Sequence, residues 1–207
     1  DANNPTGNFQ TVRPREKDFY YDLEHWNDKF LIRTNWDAKN FRLMEAPVSD
    51  PRRENWKDVL SHRDDVLLDG FTVFKDYLVS SEHKGGLSQI HVIQWADKAD
   101  HYIELGEPTY ACSVDNNPEF DTKTLRYAFS SMKTPTTVVD YNMETKFKEV
   151  KKVAPVLGNF NSADYETEYV WVTARDGVKV PVSLVHKKGL PRDGSAPCHL
   201  TAYGSYG

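Results

Sequence analysis

A strand–turn–strand pattern recurs three times at nearly constant spacing, and this spacing narrows the possible folds more than any other feature of the chain. The first unit reads Phe30-Leu31-Ile32-Arg33-Thr34, a six-residue and mostly polar turn, then Phe41-Arg42-Leu43-Met44. The second reads Tyr77-Leu78-Val79-Ser80-Ser81, a turn with Gly85-Gly86, then Ile90-His91-Val92-Ile93. The third reads Tyr127-Ala128-Phe129-Ser130-Ser131, a turn with Pro135, then Thr137-Val138-Val139-Asp140-Tyr141. Their starts lie 47 and then 50 residues apart. Each unit has room for about four short strands, and four-stranded units of roughly 40–50 residues are the blades of a β-propeller. A β-sandwich with chance spacing is the competing reading of the same runs.

Composition agrees with a strand-built globule. The chain carries 5 Trp, 11 Tyr and 10 Phe, 13% of its residues, and aromatic enrichment favours strands. Apolar residues make up 39% before its 11 glycines are added, which brings the fraction to about 44%, the globular norm. A net charge of −5 argues against nucleic acid as a partner. Two cysteines, Cys112 and Cys198, cannot make a disulfide framework and fit a reduced, cytoplasmic setting. No apolar run reaches the roughly 18 residues of a membrane helix, so no membrane partner is expected. Asp1-Ala2-Asn3-Asn4-Pro5 lacks the apolar stretch of a signal peptide. The chain starts without Met and stops at Tyr203-Gly204-Ser205-Tyr206-Gly207, so both ends read as cut from something longer.

The pattern changes after Val153. Residues 1–153 are expected to form a partial propeller of about three blades, and the turn-rich residues 154–166 a linker. From 167 to 207 the character is different. Tyr169–Ala174 and Val178–Val185 are β-rich runs flanking Asp176-Gly177, which predicts a hairpin with a two-residue turn and positive φ at both central positions. Pro181 places the second run at an edge or bulge, since proline cannot donate to a ladder. Cys198–Tyr203 is apolar enough to predict a buried strand.

Several of these segments carry a resemblance. Thr173–Val185, Lys187-Lys188-Gly189-Leu190 and Tyr203-Gly204-Ser205-Tyr206-Gly207 resemble the prolyl oligopeptidase family of serine peptidases, and within it the oligopeptidase B branch. So do Thr34-Asn35 with Ala38–Leu43, Arg126-Tyr127 through Ser130-Ser131, Thr134-Pro135-Thr136 and Asp140-Tyr141. Members join a seven-bladed propeller to an α/β-hydrolase domain. The resemblance therefore implies that residues 1–153 are the last blades and that 167–207 begin the catalytic domain.

The chemistry of such an enzyme needs a serine on a strand-to-helix elbow, a histidine base and an orienting carboxylate. No Gly-x-Ser-x-Gly occurs here: Gly204-Ser205-Tyr206-Gly207 has serine directly after glycine, and Asp193-Gly194-Ser195-Ala196-Pro197 lacks the second glycine. In the family all three triad members follow the Tyr-Gly-Ser-Tyr-Gly segment, which puts them beyond residue 207. One functional group is implied within the chain. The family completes its oxyanion hole with a tyrosine hydroxyl from this segment, and alignment on Gly-Ser-Tyr-Gly makes it Tyr203, with Tyr206 the choice if the register slips. A structural tyrosine is the plainer reading of the residue alone. Thr201-Ala202 departs from the Tyr-Gly usual in the family just before it.

Seven histidines, His25, His62, His83, His91, His101, His186 and His199, show no metal-binding spacing and read as packed or surface residues. Asp115, Asn116, Asn117, Glu119 and Asp121 read as a solvated turn, because an EF-hand needs a central glycine and a terminal glutamate. No cofactor is expected. Two functions remain open. One is a piece of a serine oligopeptidase that hydrolyses short basic peptides after Arg or Lys through an acyl-enzyme, its propeller limiting substrate size, and inactive in isolation. The other is a non-catalytic propeller module that binds a protein or peptide. Open blade faces predict an isolated chain that associates, which light scattering reads directly.

Overall fold

The computed structural model describes residues 4–8 and 11–202. Three antiparallel four-stranded sheets follow one another along the chain, each a simple meander. The first holds β1 (Tyr21–Trp26), β2 (Lys29–Thr34), β3 (Arg42–Pro47) and β4 (Lys57–Leu60). The second holds β5 (Val66–Val73), β6 (Tyr77–Lys84), β7 (Leu87–Gln94) and β8 (Asp100–Tyr102). The third holds β9 (Ala111–Val114), β10 (Thr124–Ser130), β11 (Thr137–Asn142) and β12 (Lys148–Val153). The recurring unit in the sequence is thus the central pair of each sheet: β2–β3, β6–β7 and β10–β11. Central strands are covered on both faces or carry the buried one, so their apolar pattern survives while that of the outer strands dissolves. β12, Lys148–Val153, is exposed along its whole length.

Stacking of the sheets makes the core. Strand period two sends alternate residues to opposite faces. Leu78 of β6 and Ile93 of β7 pair in register and pack toward Leu31 and Leu43 of the first sheet. Val79 and Val92, one residue along, pack toward Leu125, Tyr127, Val139 and Tyr141 of the third. β6 is consequently buried on both faces from Tyr77 to Ser80. β10 alternates instead: Leu125 and Tyr127 are buried, Thr124 and Arg126 exposed. On its outward face Arg126 grips Asp140 through two bonds of 2.7 and 2.8 Å. Trp26 and Trp95 stack at 4.3 Å between ring centres and bridge the first two sheets. Burial of the apolar side chains between the sheets is the main stabilising contribution, about 25 cal/mol per Å² of apolar surface removed from water.

After β12 the chain crosses residues 154–164 and enters a separate two-stranded sheet, β13 (Tyr165–Thr173) and β14 (Lys179–Lys187). The hairpin predicted there exists, but its turn differs from expectation. Gly177 N donates to Ala174 O at 3.0 Å, Ala174 N donates to Val178 O at 2.8 Å, and only Gly177 has positive φ, at 87°. Arg175 and Asp176 can thus stay in ordinary right-handed turn conformations. The Asp176 carboxylate accepts from Val178 N at 3.0 Å, a local bond that favours the longer turn. The two-residue form does occur at Gly85-Gly86, where φ is 58° and 82° and Lys84 pairs with Leu87.

A second expectation fails at Cys198–Tyr203. Residues 198–202 are exposed and outside any strand, with Leu200 81% accessible, and Tyr203 lies outside the described residues. An apolar run becomes a strand only where a neighbour supplies ladder bonds, and none of the described residues does so here. Among the described residues, no helix is long and apolar enough to cross a membrane.

Candidate functional site

Meander topology sorts the connections into two ends. Turns 35–41, 85–86 and 131–136, the inter-sheet passages 61–65 and 103–110, and the link 154–164 all lie at one end. The hairpin β13–β14 seats on that end. Its face carrying Tyr169, Trp171, Pro181 and Ser183 looks toward the blades. The Tyr169 hydroxyl donates to Gly85 O, and the Ser183 and Thr109 hydroxyls meet at 2.5 Å. The opposite face presents Val170, Val172, Val180, Val182 and Leu184, with Val170 paired to Val182 and Val172 to Val180 across the two strands. Beside them His186 Nε2 lies 2.8 Å from Glu168 Oε1, with Arg192 on the same carboxylate. His186 is raised above its ordinary value by its bond with Lys187 O and by Glu168, and Glu168 is lowered by His186 and Arg192.

Deeper in the second blade sits a charged cluster that the sequence did not reveal. Glu82 on β6 is buried with a fully covered side chain. Arg63, arriving from the passage between the first two blades, donates to Glu82 Oε1 at 2.6 Å. Ser80 Oγ donates to the same oxygen at 2.8 Å, and Tyr102 OH donates to Oε2 at 2.8 Å. His91 lies between carboxylates, with Nδ1 3.3 Å from Glu82 and Nε2 2.6 Å from Asp100, and its ring stacks on Tyr102 at 4.3 Å. Burial pushes the Glu82 carboxyl up. Bonds from His91, Arg63, Ser80 and Tyr102 outweigh that and hold it at about 2. The only sequence signal was two polar residues, Ser80 and Glu82, at period two on the same face as Leu78.

Serine, histidine and carboxylate meet here, but in an order that does not make a catalytic triad. A nucleophilic serine must donate to the imidazole. Ser80 donates to the carboxylate, and it is completely shielded from solvent. The cluster ties β6, β7 and β8 to the passage from the first blade. Other histidines are also held by neighbours: His83 by Asp69, and His101 by the Tyr141 hydroxyl at 2.7 Å. Asp115–Asp121 forms the exposed connection from β9 to β10, where Asn117 bonds the backbone of Arg126 and Asp121 pairs with Lys75 at 2.7 Å. Tyr203 and Tyr206, the candidate oxyanion tyrosines, lie outside the described residues.

Residues 1–154 match the pattern that defines the prolyl oligopeptidase N-terminal beta-propeller domain. The chain belongs to the prolyl oligopeptidase family. Dipeptidyl aminopeptidase BI of Pseudoxanthomonas mexicana is 42% identical over 203 residues, 97% of this chain and 28% of that protein. Protease 2 of Moraxella lacunata is 34% identical over 207 residues, 100% of this chain and 29% of that protein. Oligopeptidase B from Leishmania major superposes with a TM-score of 0.78 at 29% identity, over 88% of this chain and 27% of that one. The chain therefore spans less than a third of these relatives. The three meander sheets are propeller blades of this family of serine peptidases, close to oligopeptidase B.

Proposed function

We propose that the chain is part of a serine oligopeptidase that cuts short peptides after Arg or Lys through an acyl-enzyme. The observation carrying this reading is the continuity of the likeness: 34% identity to a protease runs through all 207 residues, blades and hairpin alike. On this reading residues 167–207 begin the hydrolase domain, and serine, aspartate and histidine follow in that order. The propeller bounds the space in which the substrate is cut and so limits its size. Tyr203 supplies one oxyanion donor, aimed at charge that develops only in the transition state.

A second reading has its own support, because the relative at 42% identity is a dipeptidyl aminopeptidase. Such an enzyme requires a free substrate N-terminus, whereas an endo-acting oligopeptidase accepts a blocked one. The full-length protein should therefore be assayed with blocked Arg, Lys and Pro reporter peptides and with unblocked dipeptide reporters, with and without a serine-directed inhibitor. Inhibitor-sensitive cleavage of blocked Arg and Lys peptides is expected. Cleavage confined to unblocked dipeptides selects the second reading, and no cleavage at all favours a propeller that only binds. Tyr203→Phe should lower kcat about 100- to 1,000-fold, the usual effect of removing one oxyanion donor, and leave KM nearly unchanged.

A further inference from the structure

The tight turn between β6 and β7 is more than a connection. Gly85 and Gly86 both have positive φ, and both are roofed by the hairpin. A Cβ on Gly86 would lie 2.5 Å from the Tyr169 hydroxyl and 2.9 Å from Pro181 Cγ. A Cβ on Gly85 would lie 3.7 Å from the Trp171 ring. The Tyr169 and Trp171 rings stand edge to face at 78°, and between them the turn presents its Gly85 carbonyl to the Tyr169 hydroxyl. Glycine is thus required at Gly86 for two independent reasons: the turn conformation and the approach of the hairpin.

Around this point the contact is polar and incompletely satisfied. Thr109 and Ser183 share a hydrogen bond. Thr167, two residues before Tyr169 on the same face of β13, is buried, and its hydroxyl has no hydrogen-bond partner among the described residues. Trp171 remains 51% exposed. An interface with few buried apolar groups is held by its few directed bonds, and losing one of them shifts the equilibrium between docked and released forms several-fold.

We propose that the Gly85-Gly86 turn is a docking seat for Tyr169, and that this seat sets the position of the C-terminal hairpin, and of the segment it leads into, against the second blade. Tyr169 is then a positioning residue and touches no substrate. The seat follows from the contacts alone; its kinetic consequence rests on the peptidase reading above.

The test uses the full-length protein and hydrogen exchange. Tyr169→Phe removes the bond and Gly86→Ala overfills the seat. Gly106→Ala is the control, because Gly106 also has positive φ, at 76°, but its Cβ would meet open space. Amides of residues 165–187 are expected to exchange about three- to tenfold faster in both seat variants, the range one hydrogen bond controls. Strands β6 and β7 and the Gly106→Ala hairpin should stay as in the parent. In the double variant the effect should equal that of the stronger single change, because the two act on one contact. In the peptide assay Tyr169→Phe should lower kcat by a similar factor at unchanged KM. Hairpin exchange unchanged in both seat variants, acceleration shared equally by β6 and β7, or fully multiplicative single effects would overturn the seat. A shift in KM at constant kcat would overturn the positioning role. Failure of every peptide to be cut would count against the peptidase reading, and the exchange data would still decide the seat.

Discussion

Glu82→Gln is expected to destabilise the chain by about 3 kcal/mol at pH 7, within the range seen when one partner of a buried ion pair is removed. The variant leaves Arg63 and His91 facing an amide where a buried carboxylate had been. Its pH dependence distinguishes this mechanism from ordinary packing loss. Glu82 is held at about 2 in the folded chain against an ordinary value of 4.5, so the folded state binds the proton less readily than the unfolded state. The stabilisation is therefore complete above pH 4.5 and disappears as pH falls toward 2. A displacement of that size corresponds to roughly 3 kcal/mol. Urea unfolding of parent and variant at pH 7, 5, 4 and 3 should show a gap that is constant down to about pH 5 and narrows below it. A gap of equal size at pH 7 and pH 3 would mean that the carboxylate charge is not what stabilises the cluster.

Leu78→Ala is expected to cost about 2–5 kcal/mol, the range for emptying a fully buried leucine site. Leu78 is 0% exposed and packs between the first two blades against Leu31, Leu43, Leu68 and Ile93. Strands β2, β3, β5, β6 and β7 converge on that point and are each fixed by their own ladders, so the site cannot collapse to fill the void. Leu200→Ala is the matching control. It is 81% exposed, and its loss should move stability by no more than about 0.5 kcal/mol. Thermal or urea unfolding followed by tryptophan fluorescence measures both. A Leu78→Ala cost as small as that of the control would mean that the blades are held together by something other than the packing seen here.

The cluster and the apolar seam act on the same joint. Arg63 leaves the first blade and enters the second through Glu82, while Leu78 and Glu82 lie on one face of one strand. Apolar packing supplies most of the stabilisation, and the ion pairs make the joint directional. A stacked pair of sheets can slide by one residue at modest cost if only leucines meet. The Glu82 carboxylate adds directed bonds to Arg63, Ser80, His91 and Tyr102 that apolar packing alone lacks.

The difference between sequence and structure has the same physical root in each case. Blades were legible because a central strand must alternate or be continuously apolar, and three such pairs recur at nearly equal spacing. Family membership was legible because short motifs kept their order from Thr34 to Gly207. The Gly85-Gly86 turn was legible because two adjacent glycines leave few other uses. At Asp176-Gly177 the same logic chose the wrong turn, since a side-chain bond from Asp176 to Val178 N competes with the backbone preference.

What the sequence determined by itself was therefore local and periodic: the central strand pair of each blade, the C-terminal hairpin, the order of the blades along the chain, and the change of character after Val153. Tertiary structure alone decided which distant residues meet. His91 looked like any histidine within a strand until folding placed Glu82 and Asp100 on its two nitrogens. Tyr169 looked like one more aromatic strand residue until the hairpin laid its hydroxyl on a carbonyl 84 positions earlier. Periodicity records which face of a strand is covered, because burial acts on every residue of that face. It does not record what covers it, because a single long-range hydrogen bond leaves no repeating mark in the chain.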